Sequence, residues 1–202
     1  MAELIDVYTG HGERIGTMPK KEYYSGNRQD VPWIKCCTCF VIDDKEKKIL
    51  FEKRGKRFLD PGKLDLCSGH IQSGETPTQG MVRELDEELN IKLDDSSNLR
   101  FLGELKIDYT KLKDETNQKI LKCFVSIYAL RMRDISKVQV DKKEAISMGW
   151  LSLDDAIGFI SNNMTRIPYE DELIPEFDKV FSSLRNCMYP ELNEKSDTLG
   201  EK

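Results

Sequence analysis

Residues 69–91 read GHIQSGETPTQGMVRELDEELNI, and this stretch carries the strongest structural signal in the chain. Thr76 can cap the N-terminus of a helix, with Pro77 at the first helical position and Gln79 completing a Thr-x-x-Gln capping box. Asn90 tolerates the left-handed backbone conformation that commonly ends a helix. These signals predict a helix with a defined start and end, flanked by loops.

The predicted helix, Pro77–Leu89, has an apolar side and an acidic side. At about 100° per residue, one group of side chains falls on the apolar side: Met81, Val82, Leu85 and Leu89. Three carboxylates at i, i+3 and i+4 share the acidic side: Glu84, Glu87 and Glu88. Such carboxylates repel one another and oppose the helix dipole, whereas a hard divalent cation would be held by them. The helix alone is compatible with a solvated acidic face or with a metal site.

The composition is that of one globular domain, since the chain has 202 residues, of which 39% are hydrophobic and 33% charged. We expect a single domain over 1–202, with an N-terminal hairpin and loop over 1–32 and a flexible tail over 190–202. The formal net charge of −5 argues against general nucleic-acid binding. Because no stretch approaches the roughly 20 apolar residues of a membrane helix and no signal peptide is evident, we expect a cytoplasmic protein without a membrane partner.

The cysteines are expected to be reduced thiols, since nothing in the sequence indicates export. The tempting cluster Cys36-Cys37-x-Cys39 lies in the apolar run Ile34–Ile42. Its spacing matches no zinc motif, and free cysteines are commonly buried. The sequence therefore predicts structural thiols at these positions rather than a metal site.

The order of the expected elements is mixed. Strands are expected at Leu4–Tyr8, Arg14–Met18, Ile34–Ile42, Lys48–Lys53, Leu64–Leu66, Leu99–Ile107, Ile120–Met132 and Ala145–Leu151. Loops are expected at 19–32 and Gly69–Gly74, and further helices at Leu153–Asn163 and Glu170–Met188. Strands, one helix, strands and then helices favour a mixed α/β or α+β domain over a regular βαβ array.

The stretch 69–91 also resembles the signature of the Nudix hydrolases. The matching pattern is Gly69-x5-Glu75-x7-Arg83-Glu84-Leu85-x-Glu87-Glu88-x-Asn90-Ile91. Every position agrees with the family except the last glycine of the signature, which is Asn90 here. Because asparagine is the next-best residue for a left-handed helix end, this departure is mild.

The resemblance extends to roughly residues 3–160. Several segments are similar to family members related to isopentenyl diphosphate isomerase: Glu3–Tyr8, Ile15-Gly16, Lys53-Arg54, Asp60-Pro61-Gly62-Lys63 and Ser68-Gly69-His70. The segment Trp150-Leu151-Ser152-Leu153 resembles the last strand of the Nudix fold and the start of the helix after it. The family implies an α/β/α sandwich with a mixed sheet, Mg²⁺ or Mn²⁺ as cofactor, and hydrolysis of a nucleoside diphosphate linked to another moiety.

The resemblance also implies roles for individual residues. The implied metal ligands are Glu84, Glu87, Glu88 and the backbone carbonyl of Ser68, and Glu75 is implied to pair with Arg83. Glu87 and Glu144 are the candidates for the general base, with Asp141 second to Glu144, and Arg83 completes the implied catalytic set.

Other residues near the motif could contact a substrate, although each also has a structural explanation. A basic cluster could hold a terminal phosphate: Lys53, Arg54, Lys56, Arg57 and Lys63. His70 is expected to be structural. Packing is the expected role of the aromatic side chains Trp33, Phe58 and Tyr109.

Three functions compete: a hydrolase of a small diphosphate compound, an isomerase of isopentenyl diphosphate, and a non-catalytic nucleotide-binding module. The isomerases place a cysteine directly before the Gly-His pair, where this chain has Ser68, with Cys67 one position earlier. Because successive side chains of a strand point to opposite faces, Cys67 is expected to face away from the carboxylates. The hydrolase is favoured, and a homodimer is compatible with the resemblance.

Overall fold

Two parallel strands form the middle of the main sheet, β3 (Ile34–Asp43) and β8 (Lys122–Met132). The structure is a computed structural model, and it describes residues 2–25, 31–55, 62–111, 121–143, 145–165 and 168–190. Each strand is almost entirely buried, as expected for strands covered on both faces. Parallel and antiparallel pairs occur together, so the sheet is mixed.

The remaining strands extend this sheet on both sides. They are β4 (Lys48–Arg54), β5 (Leu64–Asp65), β6 (Cys67–His70), β7 (Leu99–Asp108) and β9 (Ala145–Leu151). In the described residues the order is β5-β4-β3-β8-β7, with β6 pairing with β3 and β9 pairing with β4. A separate hairpin at the N-terminus consists of β1 (Leu4–Tyr8) and β2 (Arg14–Pro19).

Helices cover both faces of the main sheet. They are α1 (Lys20–Ser25), α2 (Pro77–Leu89), α3 (Leu153–Ser161) and α4 (Ile174–Met188), with short 3₁₀ turns at Ser96–Asn98, Tyr109–Lys111 and Asp171–Leu173. One core cluster includes the apolar side of α2, and the other includes α3 and α4. The predicted α/β/α sandwich with a mixed sheet is therefore confirmed. In the described part of the chain, no helix is long and apolar enough to cross a membrane.

Two segments expected to be loops are regular. Residues 20–25 within the expected loop 19–32 form α1, because Tyr23 is completely buried and its hydroxyl donates to the carbonyl of Pro32 at 3.0 Å. The first two residues of the expected loop Gly69–Gly74 belong to β6, which pairs antiparallel with residues 36–39 of β3. In both cases contacts with distant residues outweigh the local turn signals. The expected flexible tail lies outside the described residues from 191 onward.

Candidate active site

The motif helix α2 begins and ends where its caps predict. The Thr76 hydroxyl accepts from the backbone N–H of Gln79 at 3.2 Å, and the Gln79 side chain accepts from the N–H of Thr76 at 2.8 Å. Asn90 ends the helix with φ 55° and ψ 31°, which explains why asparagine serves at this position. The caps fix where α2 begins and ends, and its apolar side, with Met81, Leu85 and Leu89 fully buried, packs against the sheet.

Arg83 donates hydrogen bonds to three carboxylates of the motif. Its Nε and Nη2 donate to the two carboxylate oxygens of Glu75 at 2.9 and 3.0 Å, the predicted pair. Its Nη1 donates to Glu84 at 2.6 Å and to Glu87 at 3.1 Å, and Nη2 also donates to the carbonyl of His70 at 2.8 Å. Burial acts to raise the pKa of Glu75, but the hydrogen bonds from Arg83 and Gln72 hold it below its ordinary value. Arg83 therefore ties the loop before α2 to the acidic side of the helix.

Glu84 lies directly on the motif glycine. A Cβ atom at position 69 would stand 2.0 Å from the Glu84 carboxyl carbon, so any side chain there would displace the carboxylate. Glu84 is only 8% exposed, and this burial raises its pKa despite the nearby charge of Arg83. The acidic side of α2 is thus not simply a solvated face.

Glu88 is hydrogen-bonded to the backbone of β6. Its Oε2 accepts from the backbone N–H of Ser68 at 3.0 Å. Burial, and then the charges of Glu52 and Glu84, raise the pKa of Glu88 well above its ordinary value. Glu52 on β4 is 5% exposed and lies opposite Asp65, which is 4% exposed. Sequence reasoning missed these two acids, although a glutamate inside the buried run of β4 was a signal.

Glu87 differs from its neighbours because its side chain is 58% exposed. All three carboxylates line one cavity of about 520 Å³, together with Ser68 and Arg83. Hard oxygen donors of this kind suit Mg²⁺ or Mn²⁺. Among the described residues no three candidate ligands already stand together in a coordinating arrangement. Arg83 donates to one oxygen of Glu84 and one of Glu87, so the second oxygen of each carboxylate is not used by this contact. The donor chemistry fits a divalent metal.

The N-terminal segment supplies the facing wall of the cavity. Lys20 lines it at the junction of β2 and α1, and its Nζ donates to a carboxylate oxygen of Glu3 at 3.0 Å. The Tyr24 hydroxyl on α1 is hydrogen-bonded to Nε2 of His70 at 2.6 Å. His70 therefore has the expected structural role but also lines the cavity. Sequence reasoning missed Lys20 and Tyr24 because the segment was expected to be a loop.

Cys67 does not face away from all the carboxylates as expected. It is 3% exposed in the core cluster beneath α2, and burial followed by the charge of Glu88 raises the pKa of its thiol. Its side chain therefore lies close to Glu88, and the expectation is wrong for that residue. The reason is that α2 packs on the face of β6 to which Cys67 points. The other thiols of the predicted structural cluster are buried, except for half-buried Cys36, which lines the cavity.

Of the two candidate acids before β9, the structure describes Asp141 but not Glu144. Glu144 lies outside the described residues, so its role stays a prediction. Asp141 is placed at the end of α2, where its backbone N–H donates to the carbonyl of Glu88 at 2.8 Å. Its carboxylate accepts from the N–H of Lys143 at 2.9 Å.

The basic cluster is only partly brought to the cavity. Arg54 lines the cavity and forms an ion pair with Asp65 at 2.6 Å, while Lys53 is exposed. Lys56, Arg57 and Phe58 lie outside the described residues. Of the other aromatic candidates, Tyr109 is buried at the cavity wall and Trp33 packs against Phe124.

Comparisons with known proteins agree with this architecture. The family model of the NUDIX domain matches residues 35–177. A solved structure, DR0079 from Deinococcus radiodurans, superposes with a TM-score of 0.59 at 22% identity, covering 79% of this chain and 90% of that protein. At this identity the similarity is one of fold.

Two relatives are similar in sequence. An isopentenyl-diphosphate Delta-isomerase from Rhizobium rhizogenes is 30% identical over 94 residues, which are 46% of this chain and 44% of the relative. An uncharacterized Nudix hydrolase from Nostoc sp. is 28% identical over 131 residues, covering 64% of this chain and 70% of the relative. The match therefore spans less than half the length of the isomerase.

Proposed function

Because the chain belongs to the Nudix family, we propose that it is a metal-dependent hydrolase that cleaves a diphosphate linkage in a nucleoside diphosphate-X or a related small molecule. One observation carries the proposal: Glu84, Glu87 and Glu88 line a single cavity of about 520 Å³. Carboxylates gathered at one cavity, with Glu84 only 8% exposed, are costly to the fold unless a cation joins them.

Glu84, Glu87 and Glu88 would hold Mg²⁺ or Mn²⁺, with the carbonyl of Ser68 as the further proposed ligand. The bound metal would neutralise phosphate charge and polarise water. Glu87 is suited to accept a proton because its exposed carboxylate can reach a water molecule in the cavity. Glu144 remains the alternative base.

Arg83 has a positioning role in this proposal. Its contacts with Glu75, Glu84 and Glu87 hold the acidic side in place. Arg83 is tied to Glu75 in the loop before α2, and Arg54 to the buried carboxylate of Asp65. Lys20 on the facing wall pairs with a carboxylate that is one-third exposed, and we assign it to a phosphate oxygen of the substrate.

The isomerase is the second candidate, because of the named relative and because Cys67 lies beside Glu88. The thiol is nevertheless buried in the core beneath α2, and Cys67 is not among the described residues that line the cavity. An isomerase would need this thiol to reach the substrate. The burial of Cys67 therefore favours the hydrolase.

The decisive experiment is a substrate panel with and without Mg²⁺. Nucleoside diphosphate sugars, dinucleotides, coenzyme A and isopentenyl diphosphate would be incubated with the protein, and released products identified by mass spectrometry. We expect metal-dependent cleavage of at least one compound, lost in Glu87→Gln. Conversion of isopentenyl diphosphate to its isomer, abolished in Cys67→Ser, would establish the isomerase instead. Binding without turnover across the panel would identify a non-catalytic module.

A further inference from the structure

The floor of the cavity crosses the main sheet, away from the motif. Cys36 on β3 is the register partner of His70 on β6 and, on its other side, of Val125 on β8. All three residues line the cavity. Since neighbouring strands lie about 4.8 Å apart, Val125 is roughly 10 Å from His70 along this row. Register partners point to the same face of a sheet, so their side chains form one continuous surface.

The character of the lining changes along this row. The motif side is charged, with Arg83 and the three glutamates of α2. The opposite side, which we call the apolar end, consists of Cys36, Tyr109, Leu121, Cys123 and Val125. All of these belong to the core cluster that includes α3 and α4, except Cys36, which packs against it. Among the described lining residues, the apolar end has no charged and no amide side chain. The cavity is therefore amphipathic.

The apolar end is poorly suited to a nucleoside. A base is commonly bound by stacking on an aromatic face and by polar partners for its edges. Tyr109 is only 7% exposed, while Trp33 packs against Phe124 and is not among the described residues that line the cavity. Polar groups of a base or ribose would lose water here without gaining partners, whereas an apolar group gains from burial.

We propose that the apolar end binds the group attached to the diphosphate, and that this group is a short apolar chain rather than a nucleoside. The inference rests on the proposed hydrolase and names its substrate class. The cavity of about 520 Å³ must hold the diphosphate as well as the chain, so the chain is short. In the reaction, the oxygen of water bonds to one phosphorus and the bridging P–O bond breaks. The products are the monophosphate ester of the chain and inorganic phosphate, and the proton of water passes through a carboxylate to solvent.

The test is a chain-length series with Mg²⁺: methyl, butyl and hexyl diphosphate, with UDP-glucose as the nucleoside compound. Saturated chains cannot isomerise, so release of phosphate reports hydrolysis alone. Each methylene that is buried should raise kcat/KM by about fourfold, and UDP-glucose should be cleaved more slowly than hexyl diphosphate. A kcat/KM that does not change along the series would overturn the inference. This comparison needs no variant of the protein.

A matched pair of variants locates the subsite. Cys36→Phe fills the apolar end and should lower the ratio of kcat/KM for hexyl to methyl diphosphate at least tenfold. Lys35→Phe is the control, because Lys35 is also half-buried on β3 but points to the opposite face of the sheet; its ratio should match the wild type. Circular dichroism checks that both variants fold. An unchanged ratio in folded Cys36→Phe would contradict the assignment of the subsite.

The results also separate this inference from the proposed function. Metal-dependent cleavage of UDP-glucose without any preference for longer alkyl chains would refute the apolar subsite and leave the hydrolase in place. If no compound were cleaved, the hydrolase would fail, and calorimetry would still decide the subsite. Tighter binding of hexyl than of methyl diphosphate would support it, and equal affinities would overturn it.

Discussion

Replacing Gly69 with alanine is the sharpest test of how the motif holds its carboxylates. The new Cβ would stand 2.0 Å from the carboxyl carbon and 2.0 Å from Oε1 of Glu84. Carbon atoms in contact prefer a separation of about 3.5–4.0 Å, so the Glu84 carboxylate must retreat by about 1.5 Å. Such a displacement of a catalytic or metal-binding group is expected to cost about 100-fold in rate, equivalent to about 2.7 kcal/mol of transition-state stabilisation.

The assay pairs two measurements on Gly69→Ala. The first is kcat/KM on the substrate identified by the panel, which should fall by about 100-fold. The second is the Mg²⁺-induced rise in melting temperature, which reports metal affinity without turnover and should shrink in parallel. Together they separate a damaged metal site from a damaged fold, since an unfolded variant would show no cooperative transition.

Gly158→Ala is the matched control. Gly158 lies in α3, and a Cβ atom there would meet nothing within 4 Å. Alanine is favoured over glycine in a helix by roughly 0.5–1 kcal/mol, so the control should be slightly more stable and fully active. If Gly69→Ala matched this control in rate and in its response to Mg²⁺, the reasoning about Glu84 would be refuted.

Four further results are expected. Arg83→Ala should lower the free energy of unfolding by about 2 kcal/mol in a denaturant titration as well as reduce turnover, because it removes a half-buried hydrogen-bond partner of three carboxylates; a loss of rate alone would contradict this linking role. Glu87→Gln should leave the melting temperature within experimental error but cost about 10²–10⁴ in kcat, and near-normal turnover would exclude Glu87 as the base. Lys20→Met should raise KM about tenfold or more through loss of a charge-assisted hydrogen bond, whereas Lys21→Met, on the exposed side of the same helix, should not; equal effects would contradict a phosphate contact. Because the pKa of Glu88 is raised in the folded state, its contribution to the stability of the metal-free protein is present at acidic pH, below its unfolded pKa, and lost as pH rises through the folded value. Mg²⁺ affinity measured by calorimetry should rise over the same window, and a pH-independent affinity would argue against Glu88 as a ligand.

The motif helix could be predicted to the residue because its determinants are local. Thr76, Gln79 and Asn90 all act within one turn of the helix ends, and their hydrogen bonds are those that the sequence indicates. The pairing of Glu75 with Arg83 follows from the family signature rather than from local chemistry.

The elements that sequence reasoning missed depend on distant contacts. α1 is stabilised by burial of Tyr23, whose hydroxyl also accepts from the N–H of Lys122 at 3.2 Å, and no local pattern encodes that pairing. The burial of Glu84 likewise depends on the approach of Gly69 in another element. A hydrophobic pattern along α2 shows which side is apolar, but not how deeply the sheet covers the acidic side.

The cavity is built partly from residues that lie outside the match to the family model. A fragment trimmed to residues 35–177 would retain every motif carboxylate, yet it would lack Glu3, Lys20 and Tyr24, which wall the cavity. It would also lose buried core residues on both sides of the match, among them Ile5 and Tyr23 before it and Val180 and Leu184 after it, so the match to the family model does not mark the limits of the folded unit. The segment 2–25 also contacts the motif loop, since Ser73 donates to Asp6 and His70 is hydrogen-bonded to Tyr24, so changes in this segment would be transmitted to the motif.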